Sequence, residues 1–80
     1  MRRVMTNFPL LVTQKEVRDK RRYSQREIAV ALGVSEPTVS RWMNGKRIEN
    51  TSIKIVMKLC NWLDCDLRDL VYTEATEANL

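Results

Sequence analysis

The chain has 80 residues, enough for one small domain over residues 1–80, with 44% apolar residues and a net charge of +4. It has no histidine, two cysteines, no clustered carboxylate pair and no phosphate-cradling glycine loop, which argues against an enzyme and against a metal, cofactor or small-molecule ligand. No apolar run of about 18 residues and no signal-peptide pattern occurs, so we expect a cytoplasmic protein without a membrane span.

The positive charge is concentrated in one part of the sequence. Residues 18–47 carry eight basic and three acidic side chains, a net charge of +5, whereas residues 64–80 carry a net charge of −4. Attraction to phosphates is the sequence-independent part of nucleic-acid binding. The distribution favours a nucleic-acid partner, although a solvated basic surface would give the same pattern.

The first predicted elements are a loose arm over residues 1–7 and a helix that runs to about Arg21. Asn7 can cap this helix, and Pro9 fits its first turn. The side chains expected to face inward are Leu10, Leu11 and Val17.

A second helix is predicted to begin at Ser24. Glu27 follows three residues later, so Ser24-Gln25-Arg26-Glu27 forms a capping box. Gly33 ends the helix, because glycine adopts the left-handed conformation most readily. The apolar face consists of Ile28, Ala29 and Leu32.

A third helix is predicted to follow after a turn at Gly33-Val34. Ser35 caps it, Pro37 fits its first turn, and Asn44-Gly45 ends it. Val39 and Trp42, three positions apart, point inward. The side chains on the opposite face are polar and available to a partner.

Two more helices complete the prediction. The fourth begins at Thr51 or Ser52, and the fifth, capped by Asp66, precedes an acidic, frayed tail over residues 73–80. The inward positions are Ile53, Val56, Leu59, Cys60 and Leu63 in the fourth helix, and Leu67, Leu70 and Val71 in the fifth. No strand alternation is visible, so the predicted fold is all-α: a compact five-helix bundle with its helical core over about residues 8–72.

The second and third helices fit a helix-turn-helix, in which the second of the pair enters the major groove. Here that helix would be residues 35–43. Arg41 can pair bidentately with guanine and Glu36 can accept from a cytosine amino group. Pro37 and Thr38 can contact a thymine methyl, and Ser40 can bond a base or a phosphate. Each has a purely structural alternative, such as helix stabilisation by Glu36 at the N-terminus.

Other polar residues flank this helix. Gln25 begins the preceding helix and can reach a phosphate, and Asn44, Lys46 and Arg47 could hold the same strand. The complete set of candidate DNA-binding residues is Gln25, Ser35, Glu36, Pro37, Thr38, Ser40, Arg41, Asn44, Lys46 and Arg47.

The chain resembles the Cro and lambdoid-repressor type of helix-turn-helix regulators over roughly residues 10–72. The matching segments are Ser24-Gln25-x-Glu27-Ile28-Ala29, Leu32-Gly33-Val34-Ser35, Thr38-Val39-Ser40-Arg41-Trp42 and Asn44-Gly45-Lys46. The resemblance implies five helices, a homodimer on a near-palindromic double-stranded operator, phosphate contact by Gln25 and groove contact by Glu36, Pro37, Thr38 and Arg41. This chain differs from the family at three places. Glu36-Pro37 stands where amide or basic residues are usual, Gln14 where an apolar residue is usual, and Asp64 where glycine is usual.

The sequence leaves two functions open. The first is a sequence-specific transcriptional regulator, and the second is a protein-interaction module on the same fold, such as an antitoxin or an anti-repressor partner. The candidate dimer-interface residues are Trp62, Leu67, Val71 and Tyr72, which could instead close the core of the monomer.

Overall fold

The computed structural model describes residues 2–45 and 51–75. Five helices lie between two short strands, which confirms the predicted five-helix architecture and adds a small sheet to it. In chain order the elements are β1 (Arg2–Thr6), α1 (Phe8–Asp19), α2 (Gln25–Leu32), α3 (Glu36–Gly45), α4 (Ile53–Leu63), α5 (Leu67–Leu70) and β2 (Val71–Ala75). None of the helices in the described ranges is long and apolar enough to cross a membrane.

The two strands pair with each other in antiparallel orientation. The register runs from Arg2 opposite Ala75 to Thr6 opposite Val71. The predictions of a loose arm over residues 1–7 and of a frayed tail from residue 73 are therefore wrong at residues 2–6 and 73–75. Each strand is stabilised by a segment far away in the sequence, as shown by the Arg2 guanidinium, which donates to the Thr73 hydroxyl across 71 positions.

The core lies between the helices and is closed at one end by α5. Phe8, Val39, Leu59 and Leu70 are completely buried. The other buried apolar side chains are Val12, Ile28, Ala29, Leu32, Trp42, Val56 and Leu63. All three residues predicted for the apolar face of α2 are among them.

The orientation of α1 differs from the prediction. Leu10 and Val17 were expected inside but are 56% and 73% exposed, whereas Phe8 and Val12 are buried. Leu11 is partly buried, as expected. The buried row of α1 therefore begins at Phe8.

Polar residues occupy the next inward positions of α1. The spacing of apolar residues in the sequence therefore does not show which side of α1 is buried. The Lys15 ammonium lies 4.9 Å from the centre of the Trp62 ring, an arrangement that favours a cation–π interaction. The Glu16 carboxylate accepts a hydrogen bond of 2.7 Å from the Tyr23 backbone N–H. These contacts explain why two charged residues occupy half-buried positions on α1.

Two further positions in α4 and α5 also differ from the prediction. Ile53 and Leu67 were expected inside, but each begins its helix and is exposed. Ile55 packs against the core instead. The Ser52 hydroxyl accepts from the Ile55 N–H at 3.3 Å and so caps α4, as predicted for one of two alternatives.

Candidate nucleic-acid interface

The N-terminus of α2 is held by the predicted capping box. The Ser24 hydroxyl accepts from the Glu27 N–H at 3.0 Å, and the Glu27 carboxylate accepts from the Ser24 N–H at 3.1 Å. The Arg21 guanidinium also pairs with Glu27. Because the Ser24 N–H and the Arg21 guanidinium both bind the ionised carboxylate, the pKa of Glu27 lies below its ordinary value.

Glu27→Gln is expected to reduce the pH dependence of stability. A lowered folded-state pKa stabilises the protein above the ordinary Glu pKa of about 4.3, and that stabilisation is lost as the pH falls through the lowered value. Glutamine keeps the capping hydrogen bond but does not titrate. In thermal melts from neutral to acidic pH, the advantage of wild type over the variant should shrink; a constant difference would contradict this role.

A tight turn joins α2 to α3. Gly33 has φ of +69°, and the N–H groups of Gly33 and Val34 bond to the carbonyls of Val30 and Ala29 at 3.3 and 3.0 Å. This pattern closes α2 and directs the chain into Ser35 within two residues. The predicted turn is therefore present, and it sets the angle between α2 and α3.

Gly33→Ala should destabilise the protein by about 1–2 kcal/mol, the cost of a left-handed conformation for a residue with a Cβ. Among the described residues an added Cβ would meet only the Lys58 ammonium at 3.7 Å, an ordinary contact, so the loss would come from the backbone. Asp64 ends α4 with φ of +55°, and Asp64→Gly should therefore stabilise. Urea unfolding of both variants measures the change in the free energy of unfolding. Changes of the same sign in the two variants would contradict the explanation.

The inner side of α3 fixes it against α1 and α2. Val39 is fully buried and Trp42 nearly so, as predicted. The Trp42 ring meets the Phe8 ring edge to face, with centroids 5.5 Å apart and planes at 67°. Through this contact α1 holds the inner face of α3, and this packing sets the orientation of α3.

The outer side of α3 brings most of the predicted contact residues together. Those with exposed side chains are Ser35, Glu36, Pro37, Arg41 and Asn44, and those that are half-buried at the edges are Thr38 and Ser40. Gln25 is also exposed, in the first position of α2. Lys46 and Arg47 lie outside the described residues.

A short chain of hydrogen bonds runs along this surface. The hydroxyls of Ser35 and Thr38 are 2.8 Å apart, and the Arg41 guanidinium donates to the Thr38 hydroxyl at 3.5 Å. The three residues are spaced three apart and so share one side of the helix. Thr38 thereby holds Arg41 beside the N-terminal turn of α3.

The C-terminal turn has a separate polar pair. The Asn44 amide donates to the Ser40 carbonyl at 2.9 Å and approaches the Ser40 hydroxyl at 3.3 Å. Both donor contacts are to its own helix, so a phosphate contact by Asn44 would require this side chain to turn outward. Arg41, whose hydrogen bond is longer, needs less rearrangement to reach a partner.

Lys58 is a cation that the sequence reasoning missed. It belongs to α4, and its ammonium lies beside Gly33, at the C-terminal end of α2. A positive charge there interacts favourably with the helix dipole. The position could not be inferred from sequence because it depends on how α4 packs against α2.

The four candidate dimer residues fall into two places. Leu67 begins α5, whereas Val71, which was expected on the fifth helix, begins β2 and is followed by Tyr72. Leu67 and Tyr72 are 48% and 40% exposed, and Val71 packs against the core. Trp62 is half-buried on α4, edge to face with Tyr23 at a centroid distance of 5.3 Å. Val71 and Tyr72 are neighbours in a strand, so their side chains point to opposite faces of the ribbon.

Comparison with known proteins agrees with this geometry. Residues 14–70, which include all of α2, α3, α4 and α5, match a family model described as helix-turn-helix. The chain belongs to the Cro-like helix-turn-helix family. This helix-turn-helix chain is therefore a DNA-binding domain.

A solved structure is also similar to this helix-turn-helix protein. It is a crystal structure of a protein from Bacteroides fragilis that has been provisionally assigned as DNA-binding, with 26% identity and a TM-score of 0.63. The match covers 86% of this chain and 98% of the other. No curated protein is significantly similar to the chain in sequence.

Proposed function

We propose that the protein is a sequence-specific transcriptional regulator of the repressor type, without enzymatic activity, that reads the major groove with residues 35–43. The observation that carries this proposal is the polar outer face of α3, centred on Arg41, opposite a face buried by Val39 and Trp42. α3 has 10 residues and is therefore about 15 Å long. An α-helix with its side chains is about 10–12 Å in diameter and so fits a major groove about 12 Å wide.

Within this proposal the exposed side chains have distinct roles. Arg41 reads guanine, because a guanidinium can bond both major-groove acceptors of that base. Glu36 and Pro37, exposed in the first turn, face a cytosine amino group and a thymine methyl. Gln25 holds a phosphate at the N-terminus of α2, where backbone N–H groups add further donors.

The proposed binding unit is a homodimer on a near-palindromic operator. One recognition helix reads too few base pairs for useful selectivity, and two-fold pairing places two such helices about 34 Å apart, one turn of DNA. The net charge of +5 over residues 18–47 supports the approach to phosphates.

Selection of bound fragments from random duplex DNA, followed by fluorescence anisotropy over a salt series, tests the proposal. We expect a preferred near-palindromic site and an affinity that falls by orders of magnitude between low and moderate salt, because neutralised phosphates release counterions. Two protein chains should bind each duplex at saturation. No binding at low salt would contradict DNA recognition, and one chain per duplex would contradict the dimer.

A further inference from the structure

The β1–β2 ribbon has one edge that fits a second copy of this chain. We propose that two copies pair through β2, antiparallel across a two-fold axis, to form a four-stranded sheet in the order β1, β2, partner β2, partner β1. This names the interface of the dimer proposed above and so rests on that proposal. Its test uses the mass of the protein in solution and needs no DNA.

The hydrogen-bond pattern shows which backbone groups face outward. The Asn7 N–H donates to the Leu70 carbonyl at 2.8 Å, next to the pair Thr6–Val71. In an antiparallel ladder, hydrogen-bonded and non-hydrogen-bonded pairs alternate. Thr6–Val71 and Val4–Thr73 are therefore non-hydrogen-bonded pairs, and the N–H and C=O groups of Thr73 point away from β1.

A second observation agrees with this assignment. The Val71 N–H donates to the Leu67 carbonyl of α5 and so points away from β1, as the alternation requires. In β2, the backbone N–H and C=O groups of residues 71, 73 and 75 then point away from β1. The N–H of residue 71 is already bonded to the Leu67 carbonyl. The carbonyl of Val71, both groups of Thr73 and the N–H of Ala75 are directed at the outer edge.

In the described part of the chain, the sheet has only these two strands. An isolated pair of strands is only marginally stable in water, and an unpaired edge is a template for another chain. Pairing of two copies would give four strands, and each outer edge would then be a β1.

A two-fold axis at Thr73 gives a complete register. Thr73 would exchange two hydrogen bonds with the partner's Thr73, and the Val71 carbonyl would accept from the N–H of the partner's Ala75. Tyr72 would lie opposite the partner's Glu74, on the face that also carries Met5 and Arg3. The Tyr72 side chain, 40% exposed in the single chain, would be covered by the neighbouring strand.

Charge selects β2 over β1 as the joining edge. β1 carries Arg2 and Arg3, so pairing of two β1 strands would bring four guanidinium groups onto adjacent strands. Like charges on neighbouring strands destabilise a sheet, and charged side chains are a common means of protecting an edge. In the β2 arrangement each Glu74 lies opposite Arg3 of its own ribbon, and the arginines lie on the outermost strands.

The position of the ribbon leaves the candidate DNA surface free. β2 packs against α5, which packs against α4, whereas α3 packs against α1 and α2. A dimer joined at β2 would therefore leave the outer face of α3 uncovered in both copies.

Proline substitutions at a matched pair of positions test the proposal. Thr73 and Val4 lie opposite each other, and each directs its N–H to a different outer edge, so neither proline removes a β1–β2 hydrogen bond. In sedimentation equilibrium, wild type and Val4→Pro should form dimers and Thr73→Pro should remain monomeric. Circular dichroism checks that both variants fold.

Cross-linking decides the matter even if a proline variant unfolds. In a Cys60→Ala, Cys65→Ala background, Thr73→Cys would place two thiols on a hydrogen-bonded pair with Cα atoms about 5.5 Å apart, within disulfide range. Oxidised glutathione should link the chains, with two thiols and one glutathione disulfide giving the protein disulfide and two reduced glutathiones. Val4→Cys would separate the thiols by three strand spacings, about 14 Å, and should not cross-link.

Several outcomes would overturn the proposal. They are a monomeric wild type up to millimolar concentration, dimers lost with Val4→Pro but not with Thr73→Pro, or cross-linking at position 4 instead of 73. DNA binding is measured separately on the same samples. If wild type forms β2 dimers but does not bind DNA, the proposed function alone is contradicted. If the Thr73→Pro variant still binds DNA as a dimer, the β2 interface alone is contradicted.

Discussion

Trp42→Ala is expected to lower the free energy of unfolding by about 3–5 kcal/mol, the range for removing a large aromatic side chain from a core. Trp42 is 3% exposed and contacts Phe8 edge to face. Alanine would leave a cavity beneath α3 and remove the ring contact with Phe8 that helps to join α3 to α1. Since the free energy of unfolding of a small domain is only about 5–15 kcal/mol, much of the variant should be unfolded near physiological temperature.

Urea unfolding followed by circular dichroism measures this loss. Val30→Ala on α2 is the matched control, because Val30 is apolar but 76% exposed, and its effect should stay within about 0.5 kcal/mol. A loss below about 1 kcal/mol for Trp42→Ala would show that the packing of α1 against α3 contributes little to stability.

Arg41→Ala is expected to weaken binding to the selected operator by about 1–3 kcal/mol, roughly 5- to 150-fold, without a change in stability. The guanidinium is exposed, and its one hydrogen bond to another described residue is the 3.5 Å contact with Thr38, so we expect its loss to leave the fold intact. Binding to random DNA should fall much less, because non-specific affinity depends on phosphate contacts. The selectivity at one base position should also relax.

Two variants separate base reading from charge. Arg68→Ala removes the same charge from an exposed position on α5 and should leave selectivity unchanged. Arg41→Lys keeps the charge but cannot form the bidentate pair, so it should behave like Arg41→Ala on the operator. If Arg41→Lys binds the operator as wild type does, Arg41 contacts a phosphate and does not read a base.

The helix-turn-helix could be predicted from sequence because its signals are local. Ser24 and Glu27 act within one turn, and Gly33 ends α2 through its own backbone conformation. Val39 and Trp42 show their shared face through spacing alone. These features depend on neighbours within a few residues, and the structure confirms them.

The remaining differences depend on contacts between distant segments. β1 and β2 show no alternation in sequence, and their pairing is visible only in the folded chain. Leu10 and Val17 were assigned inward by hydrophobicity, whereas Lys15 occupies an inward position because aromatic rings from elsewhere accommodate its ammonium. The roles of Gln25 and Arg41 toward DNA stay predictions.

The ribbon also has a consequence for the order of folding. Its strands pair residues 65 to 73 positions apart, from Thr6–Val71 to Arg2–Ala75, so the chain must close a long loop before any of these contacts form, whereas α2 and α3 are neighbours in sequence. We expect the helical body to form in the transition state and the ribbon to assemble after it. In native-state hydrogen exchange, the amides of Met5 and Tyr72 should accordingly exchange through local opening, well before those of Val39 and Leu59.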